Sequence, residues 1–348
     1  MNNFLKILLS PFVLIYYAVI GFRNFLFNKG IFKTETTGCK VISIGNITVG
    51  GSGKTPAVIM ISKILKNAGI KSGILSRGYG RSTKGFLLVS DGEKMLSEVD
   101  QCGDEIYFAS MECKVAAAVC EKRTEGAQKL NKLYKLETIV LDDAFQHRWI
   151  HRNLDILIFD QRFLLDTNSL EQNLLPLGIM REPFSSVKRA DVIIINRKFD
   201  EKYELPENIN KYFKGKEIFY GYYTTEGFFD VKNHEYFSLN DFAGQKSLVV
   251  SGIANPVSFL SILAKNKIDA DNQLLFQDHK NYSLKEIQLI RKKFYDTNAN
   301  SVITTQKDAV KLKNYSKELD DIDIYYLKID LKIENKEELT KIVLSKTN

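Results

Sequence analysis

Cysteine, histidine and tryptophan are scarce in this chain: four, four and one of 348 residues. The cysteines Cys39, Cys102, Cys113 and Cys120 form no C-x-x-C pair, and no histidine lies at metal-finger spacing from them, which argues against a zinc module. Cys113 and Cys120 lie on an apolar segment and read as buried thiols, a pattern that fits a reducing cytoplasm. Internal repeats and low-complexity tracts are missing as well, so neither a solenoid nor a disordered chain is in question. Charge of neither sign is concentrated. The net charge of +7 is spread along the sequence and falls short of the basic face that nucleic-acid modules carry. The composition thus predicts no nucleic-acid partner, and nothing in it points to an obligate protein partner. The length suffices for two domains, each with its own core.

A long apolar run is also lacking. The uncharged stretch from Ile7 to Phe22 is 16 residues, with Pro11 near its start, whereas a full membrane span takes roughly 20. Phe25-Leu26-Phe27 extends it past Arg23. A cleaved signal peptide fits poorly, because no small-residue cleavage site follows and a folded strand begins almost at once. A helix buried in the soluble body is the second reading. The favoured one is a membrane anchor over residues 1–30, either spanning or lying in the interface. Arg23, Lys29 and Lys33 after it outnumber Lys6 before it, which places the body in the cytoplasm.

What the sequence does have is Val41-Ile42-Ser43-Ile44-Gly45, a strand, followed by a glycine-rich turn ending in Gly53-Lys54-Thr55. A helix is expected from Pro56 to Ala68, with Ala57, Ile61, Ile64, Leu65 and Ala68 on one face and Gly69 as its stop. Strand, glycine loop and helix form the setting in which freed backbone N–H groups and a helix N-terminus enclose a polyphosphate. Thr48, Val49, Gly50, Gly51, Ser52, Gly53, Lys54 and Thr55 are the expected nucleotide contacts. Lys54 would reach the β- and γ-phosphates, and the Thr55 hydroxyl would hold Mg²⁺. The pattern G-x-x-x-x-G-K-[ST] departs at its first position, where Thr48 replaces glycine. Binding of ATP with Mg²⁺ is the reading. A glycine-rich turn without chemistry is the competing one.

Short apolar runs at Lys71–Ser76, Thr138–Leu141, Asp155–Phe159 and Val192–Ile195 look like buried parallel strands. A second set follows at Ser247–Ser251, Ser301–Thr305 and Ile324–Ile329. Between the sets, Phe219–Tyr236 reads as extended strands or a hairpin. Ser283-Leu284-Lys285-Glu286 is a capping box opening a helix with Ile287, Ile290 and Phe294 on one face. The predicted fold is α/β: an N-terminal membrane-associating helix over 1–30, a P-loop NTPase-like domain over 31–215, an extended connector over 216–245, and a smaller α/β domain over 246–348. Ligands then belong in the cleft between the domains.

Thr138-Ile139-Val140-Leu141-Asp142-Asp143 is a strand delivering two acids, as a Mg²⁺-holding element beside a phosphate loop requires. Gln146-His147-Arg148 follow in a βα-loop position. Asp104, after Gly103 and before a helical segment, reads either as a helix cap or as a base or metal-linked carboxylate. His147 and His279 lie in loops with polar company; His151 and His234 read as surface residues. Ser76-Arg77-Gly78-Tyr79-Gly80-Arg81 offers arginine forks suited to phosphate, and the loop Leu175–Pro183 carries Arg181.

Together these motifs resemble the tetraacyldisaccharide 4′-kinase family, the lipid A 4′-kinases of Gram-negative bacteria. The resemblance runs through Gly45–Pro56, Ser76–Gly80, Gly103-Asp104-Glu105, Asp142–His147, the Leu-Pro…Arg-Glu-Pro loop, Gly252–Pro256, Asp278–Tyr282 and Thr304–Asp308. Ala144 departs from the glycine usual after the acid pair, and Thr48 is itself a habit of the family. The resemblance implies ATP-dependent phosphorylation of the 4′-hydroxyl of a tetraacyl glucosamine disaccharide 1-phosphate, giving lipid IVA, at the cytoplasmic face of the inner membrane. It implies Asp104 as general base, oriented by His279 from the second domain across the cleft, with Lys54 offsetting phosphate charge. It implies Mg²⁺ held by Asp142 and Asp143 together with Thr55. Arg77, Arg123, His147 and Arg181 are the expected contacts of the lipid head group. The alternative is a membrane-recruited nucleotide switch or ATPase without a lipid acceptor. Many of these carry a lysine before the glycine pair, where this chain has Val49. A nucleotide-regulated scaffold without catalysis would have little use for Asp104 and His279.

Overall fold

The computed structural model describes residues 3–253, 255–278 and 280–347. The strands among them are β1 (Lys40–Gly45), β2 (Ser72–Ser76), β3 (Leu87–Asp91), β4 (Ala116–Val119), β5 (Thr138–Asp142), β6 (Leu154–Asp160) and β7 (Val192–Asn196). They continue with β8 (Glu217–Asp230), β9 (Tyr236–Phe237), β10 (Ser247–Ser251), β11 (Asn272–Leu275), β12 (Ser301–Thr305) and β13 (Ile324–Ile333). All belong to one sheet, ordered β11-β10-β12-β13-β8-β7-β6-β1-β5-β2-β4-β3, with β9 against β8.

β2, β5 and β7 are buried at every position, and β1 at all but its first, as strands covered on both faces by helices must be. β1 lies parallel between β5 and β6, with Ile44 opposite both Asp142 and Ile156. The segments that leave β1 and β5 therefore emerge side by side at the carboxyl edge, where open α/β sheets take their ligands. β2 lies parallel on the far side of β5, so its last residue, Ser76, reaches the same edge.

β8 joins the two halves. Its first residues, Glu217–Gly221, pair in parallel with β7, and the stretch Gly221–Asp230 pairs antiparallel with β13, after which β9 folds back on it. The segment read from sequence as strands or a hairpin is both. β13 runs on to Ile333, past the expected end at Ile329, because its second half pairs with β8 rather than with β12. β4, Ala116-Ala117-Ala118-Val119, was not singled out from sequence: alanine favours helix, and only pairing between β2 and β3 makes this segment a strand.

The N-terminal helix Asn3–Asn28 packs one side on the body, and its segment Leu8–Asn28 is long and apolar enough to cross a membrane. The helix Leu284–Asp296 has the expected capping box at Ser283 and buries Ile287, Ile290 and Phe294. Cys102, Cys113 and Cys120 are buried thiols, while His151 and His234 are exposed.

Candidate phosphate-transfer site

The glycine loop leaves β1 at Gly45 and closes at Gly53, the N-cap of the helix Lys54–Asn67. Gly53 has φ 100°, and a Cβ there would stand 2.4 Å from Asn196 Nδ2 and 2.6 Å from the Tyr223 hydroxyl, so only glycine fits. No side chain caps this helix, which leaves its first N–H groups open to an anion. Other elements fix the loop: Asn196 donates to the Ser52 carbonyl at 3.0 Å, and the Val49 N–H to the Ile179 carbonyl at 2.8 Å. Thr48, where the pattern has glycine, is buried and bridges antiparallel to Met180, a strand-like role that any β-branched residue can take. Lys54 begins the helix, with Nζ 3.4 Å from the Gly50 carbonyl and 3.8 Å from Asp143 Oδ1; Thr55 follows, half-buried.

β5 delivers the acid pair. Asp142 is buried; its Oδ2 accepts from the Ser76 hydroxyl at 3.3 Å, and its Oδ1 has no hydrogen-bond partner. Burial first, then the nearby charges of Glu105 and Asp143, push its carboxyl up to about 7, against the opposing pull of Lys54 and Arg123. Asp143 turns the chain at φ 48° and receives Arg181 Nη1 on Oδ2 at 3.0 Å. An orphaned buried carboxylate oxygen and a second acid beside Lys54 are oxygen donors of the kind Mg²⁺ takes, and Thr55, next in the chain after Lys54, would add its hydroxyl, so the residues fit that ion. Ala144 is fully buried without a positive φ, so the glycine usual there is not needed.

Arg181 and Arg123 act on the acids, and Arg77 and His147 stand near Arg123. Arg181 is a wedge: Nε donates to the Thr48 carbonyl at 3.0 Å while Nη1 holds Asp143 and reaches Gln146 Oε1 at 3.4 Å. Arg123 is buried, donates to the Cys120 carbonyl at 3.1 Å, and is brought down to about 10 by burial despite Asp142 and Asp143. Arg77 is exposed. His147 is brought down to about 4 by burial and by Arg123, Arg152, Arg77 and Arg23, so its ring is neutral at pH 7.

Asp104 heads the helix Asp104–Cys113, with Gly103 rather than Asp104 as the cap. Gly103 has φ 97°, and a Cβ would press within 2.8 Å of the Tyr79 carbonyl, which explains the glycine before the acid. Asp104 Oδ1 accepts from the Glu105 N–H at 3.0 Å, and Oδ2 lies 2.8 Å from Lys311 Nζ and 3.9 Å from Lys307 Nζ. Both lysines stand on the helix Gln306–Leu312 of the C-terminal half. Lys307 also lies 3.6 Å from Asp278, the neighbour of His279 in sequence; His279 itself lies outside the described residues.

The structure thus gathers Lys54, Asp143 and Arg181, sets Asp142 beside them, and brings Lys311 and Lys307 of the C-terminal half to Asp104. Sequence reasoning passed over Lys311 and Asn196, and gave Ser76 no role of its own in the motif it opens. Lys311 had a signal: Thr305 and Asp308 frame a helix start in a motif already singled out, and that start aims Lys311 at Asp104.

A family model described as Tetraacyldisaccharide-1-P 4′-kinase matches residues 5–348. The tetraacyldisaccharide 4′-kinase of Chlorobium luteolum is 35% identical over 323 residues, covering 89% of this chain and 87% of that protein. That of Aquifex aeolicus is 32% identical over 338 residues, covering 96% and 97%. A solved structure of LpxK from Aquifex aeolicus in complex with ATP matches with a TM-score of 0.82 at 30% identity, covering 99% of this chain and 100% of that one.

Proposed function

The chain belongs to the tetraacyldisaccharide-1-P 4′-kinase family, and we infer that it transfers the γ-phosphoryl group of ATP to the 4′-hydroxyl of a tetraacyl glucosamine disaccharide 1-phosphate, a step of lipid A synthesis. One observation carries the residue-level reading: an uncapped helix start, Lys54 and two carboxylates meet at one sheet edge, one of the acids with an oxygen lacking a partner.

The roles follow from that arrangement. Backbone N–H groups of the Gly50-to-Thr55 stretch cradle the β- and γ-phosphates, those of Thr48 and Val49 being held by Asn46 and Ile179, and Lys54 offsets the charge that grows on the transferring group. Asp142, Asp143 and Thr55 would hold Mg²⁺, which when bound neutralises phosphate charge. The 4′-oxygen forms its bond to the γ-phosphorus as the bond to the β,γ-bridging oxygen breaks, and the hydroxyl proton passes to the base. We assign that base to Asp104, oriented by His279, with Lys311 fixing the carboxylate from the C-terminal half. Arg77, Arg123, His147 and Arg181 serve the anionic head group; Arg181 also braces Asp143 against the phosphate loop.

We divide the chain into a membrane helix over 1–30, a kinase domain over 31–215, a connector over 216–245 and a C-terminal domain over 246–348. The acceptor's acyl chains keep it in the bilayer, so the enzyme works at the membrane surface, on the cytoplasmic side where ATP is supplied. Incubation of membranes holding the full chain with γ-labelled ATP and the disaccharide 1-phosphate tests the reading. Label is expected on the lipid. Label appearing only as free phosphate would leave an ATPase without a lipid acceptor.

A further inference from the structure

The sheet of the C-terminal half has a carboxyl edge of its own, and the helix that starts there reaches Asp104. β10 and β12 lie parallel with Val250 opposite Thr304, so β10 runs out at Ser251-Gly252 beside Thr305, the N-cap of the helix Gln306–Leu312. That helix brings Lys311 to within 2.8 Å of Asp104. Asp308 stands one turn before Lys311 and is wholly buried.

An acid in the first turn of a helix ordinarily lies at the surface and serves the cap. Asp308 does serve it: its N–H donates to Thr305 Oγ1 at 3.2 Å, and the Thr305 hydroxyl donates to its Oδ2 at 2.7 Å. The carboxylate also holds two other segments. Oδ2 accepts the Gly252 N–H at 2.9 Å, and Oδ1 accepts the Tyr282 hydroxyl at 3.2 Å. The approach is tight, since a Cβ on Gly252 would stand 3.1 Å from Asp308 Oδ1 and 3.0 Å from Lys280 Cβ. Burial raises the Asp308 carboxyl against the combined pull of Gly252, Thr305, Lys311 and Tyr282. A cap alone needs no buried carboxylate.

The segment Lys280–Tyr282, which follows His279 in sequence, is held by the same helix at a second point. Lys311 Nζ donates to the Lys280 carbonyl at 3.1 Å as well as reaching Asp104. Tyr315, just past the helix, donates its hydroxyl to the Tyr282 carbonyl at 2.6 Å. So Lys280–Tyr282 is gripped between Asp308 and Lys311, and the Lys311 ammonium is gripped between that segment and Asp104. A lysine side chain has many rotamers to lose, and its ammonium stays on one carboxylate only where the helix below it and the carbonyl beside it are both fixed. Asp308 ties down both.

We propose that Asp308 is a positioning residue for phosphoryl transfer: by tying Gly252 and Tyr282 to the helix that carries Lys311, it keeps the Lys311 ammonium on the Asp104 carboxylate. The proposal rests on Asp104 being the base. It gives the buried acid of the C-terminal half a part in the reaction without contact to either substrate.

Asp308→Ala removes both ties, and Tyr282→Phe removes only the tie to the Lys280–Tyr282 segment. Turnover per folded molecule should fall about tenfold in the first and less in the second, with KM for ATP unchanged, as expected when a general base is displaced but present. Asp308→Asn keeps an acceptor for the Gly252 N–H and an NH₂ group that can donate to the Tyr282 hydroxyl, so it should lose less than Asp308→Ala. Adding Asp308→Ala to Lys311→Met should cost almost nothing beyond Lys311→Met alone, because the one acts through the other. Reductive methylation of lysines read by mass spectrometry follows the tie without reference to catalysis. Lys311 is 8% exposed in the parent, and it should be labelled several-fold faster in Asp308→Ala and in Tyr282→Phe. Unchanged labelling of Lys311 in both variants would overturn the proposal whatever the kinetics. Faster labelling with parent turnover would overturn it too, as would losses that multiply with Lys311→Met. Should Asp308→Ala fail to fold, Tyr282→Phe decides by the same measurements. A parent chain that puts no label from ATP on the lipid would instead refute the kinase reading.

Discussion

Asp104 and Asp142 are buried to the same degree, 5% and 4% exposed, in opposite surroundings. Asp104 has an ammonium supplied by the protein: Lys311 reaches it at 2.8 Å from the C-terminal half, itself buried and also donating to the Lys280 carbonyl at 3.1 Å. Asp142 has a hydroxyl at 3.3 Å and an oxygen with no hydrogen-bond partner. Removing a carboxylate from water is costly in either place. At Asp104 the fold offsets that cost. At Asp142 it leaves the cost standing, and the carboxyl rises to about 7. On the roles proposed above, the difference would separate two tasks: a group held in one position for the acceptor, and a group left incomplete until a cation arrives with the nucleotide.

If the contrast is functional, Asp104→Ala should give the largest loss, roughly 10²–10⁴ in turnover with ATP affinity little changed, the usual range for a positioned base. His279→Ala should cost less, and adding it to Asp104→Ala almost nothing more, because residues that act as a unit are not additive. Steady-state kinetics of the two single variants and the double variant decide this. Multiplicative losses would dissolve the pair, and unchanged turnover in Asp104→Ala would remove the base. Next in size, Lys54→Ala and Thr55→Ala should each lower turnover by ~10²–10³, the worth of an electrostatic contact made in the transition state. Folded Lys54→Ala protein turning over at the parent rate would rule out a phosphate-loop kinase.

Most of the Asp142 side of this contrast was legible in the sequence. A strand ending in two acids and a strand ending in a glycine loop need only the order of a parallel sheet to be brought together, and β1 between β5 and β6 supplies it. The loop's support was not legible. Asn196 ends β7 and touches Ser52 only because β6 and β7 stack outward from β1, a contact across 144 residues. The Asp104 side was half legible. The acid stood out after Gly103, but its first-turn place below the cap, and Lys311 opposite, depend on how the C-terminal half sits against the first. Strands such as β4 were hidden for the converse reason: alanine's local preference is for helix, and neighbouring strands decide otherwise.

A smaller effect tests the lysine. Lys311→Met keeps the length of the side chain and removes its charge, leaving Asp104 with Lys307 at 3.9 Å. Loss of one partner from a buried pair typically costs ~3–5 kcal/mol; the remaining lysine should hold the cost nearer 2 kcal/mol. Turnover per folded molecule should fall about tenfold, as expected when a general base is displaced but present. Denaturant melts and kinetics on the same samples check both numbers. A variant that loses stability but keeps its turnover would make Lys311 a structural tie only.

The effect that is smallest in the parent is one of pH, and its sign separates the acid side from the histidine beside it. Asp142 has an ordinary carboxyl value of 3.8 unfolded and about 7 folded. Between those values the native state binds more protons, so Asp142 makes stability fall as pH rises from about 4 to about 7. His147 runs the other way. Its ring goes from 6.5 unfolded to about 4 folded, the unfolded state binds more protons between them, and stability rises with pH over that window. Each slope has a ceiling of about 1.4 kcal/mol per pH unit, so in the parent the two largely cancel below pH ~6.5. Thermal melts in chelator should therefore diverge when either group is removed. Asp142→Asn exposes the His147 limb, and its stability should climb relative to the parent from about pH 4 to 7. His147→Gln exposes the Asp142 limb, and its stability should decline relative to the parent between about pH 4 and 6.5. Added Mg²⁺ should flatten the Asp142 limb in the His147→Gln protein by binding the ionised form, and should leave Asp142→Asn unmoved. Three parallel profiles would mean that Asp142 is not held in the incomplete state the structure gives it.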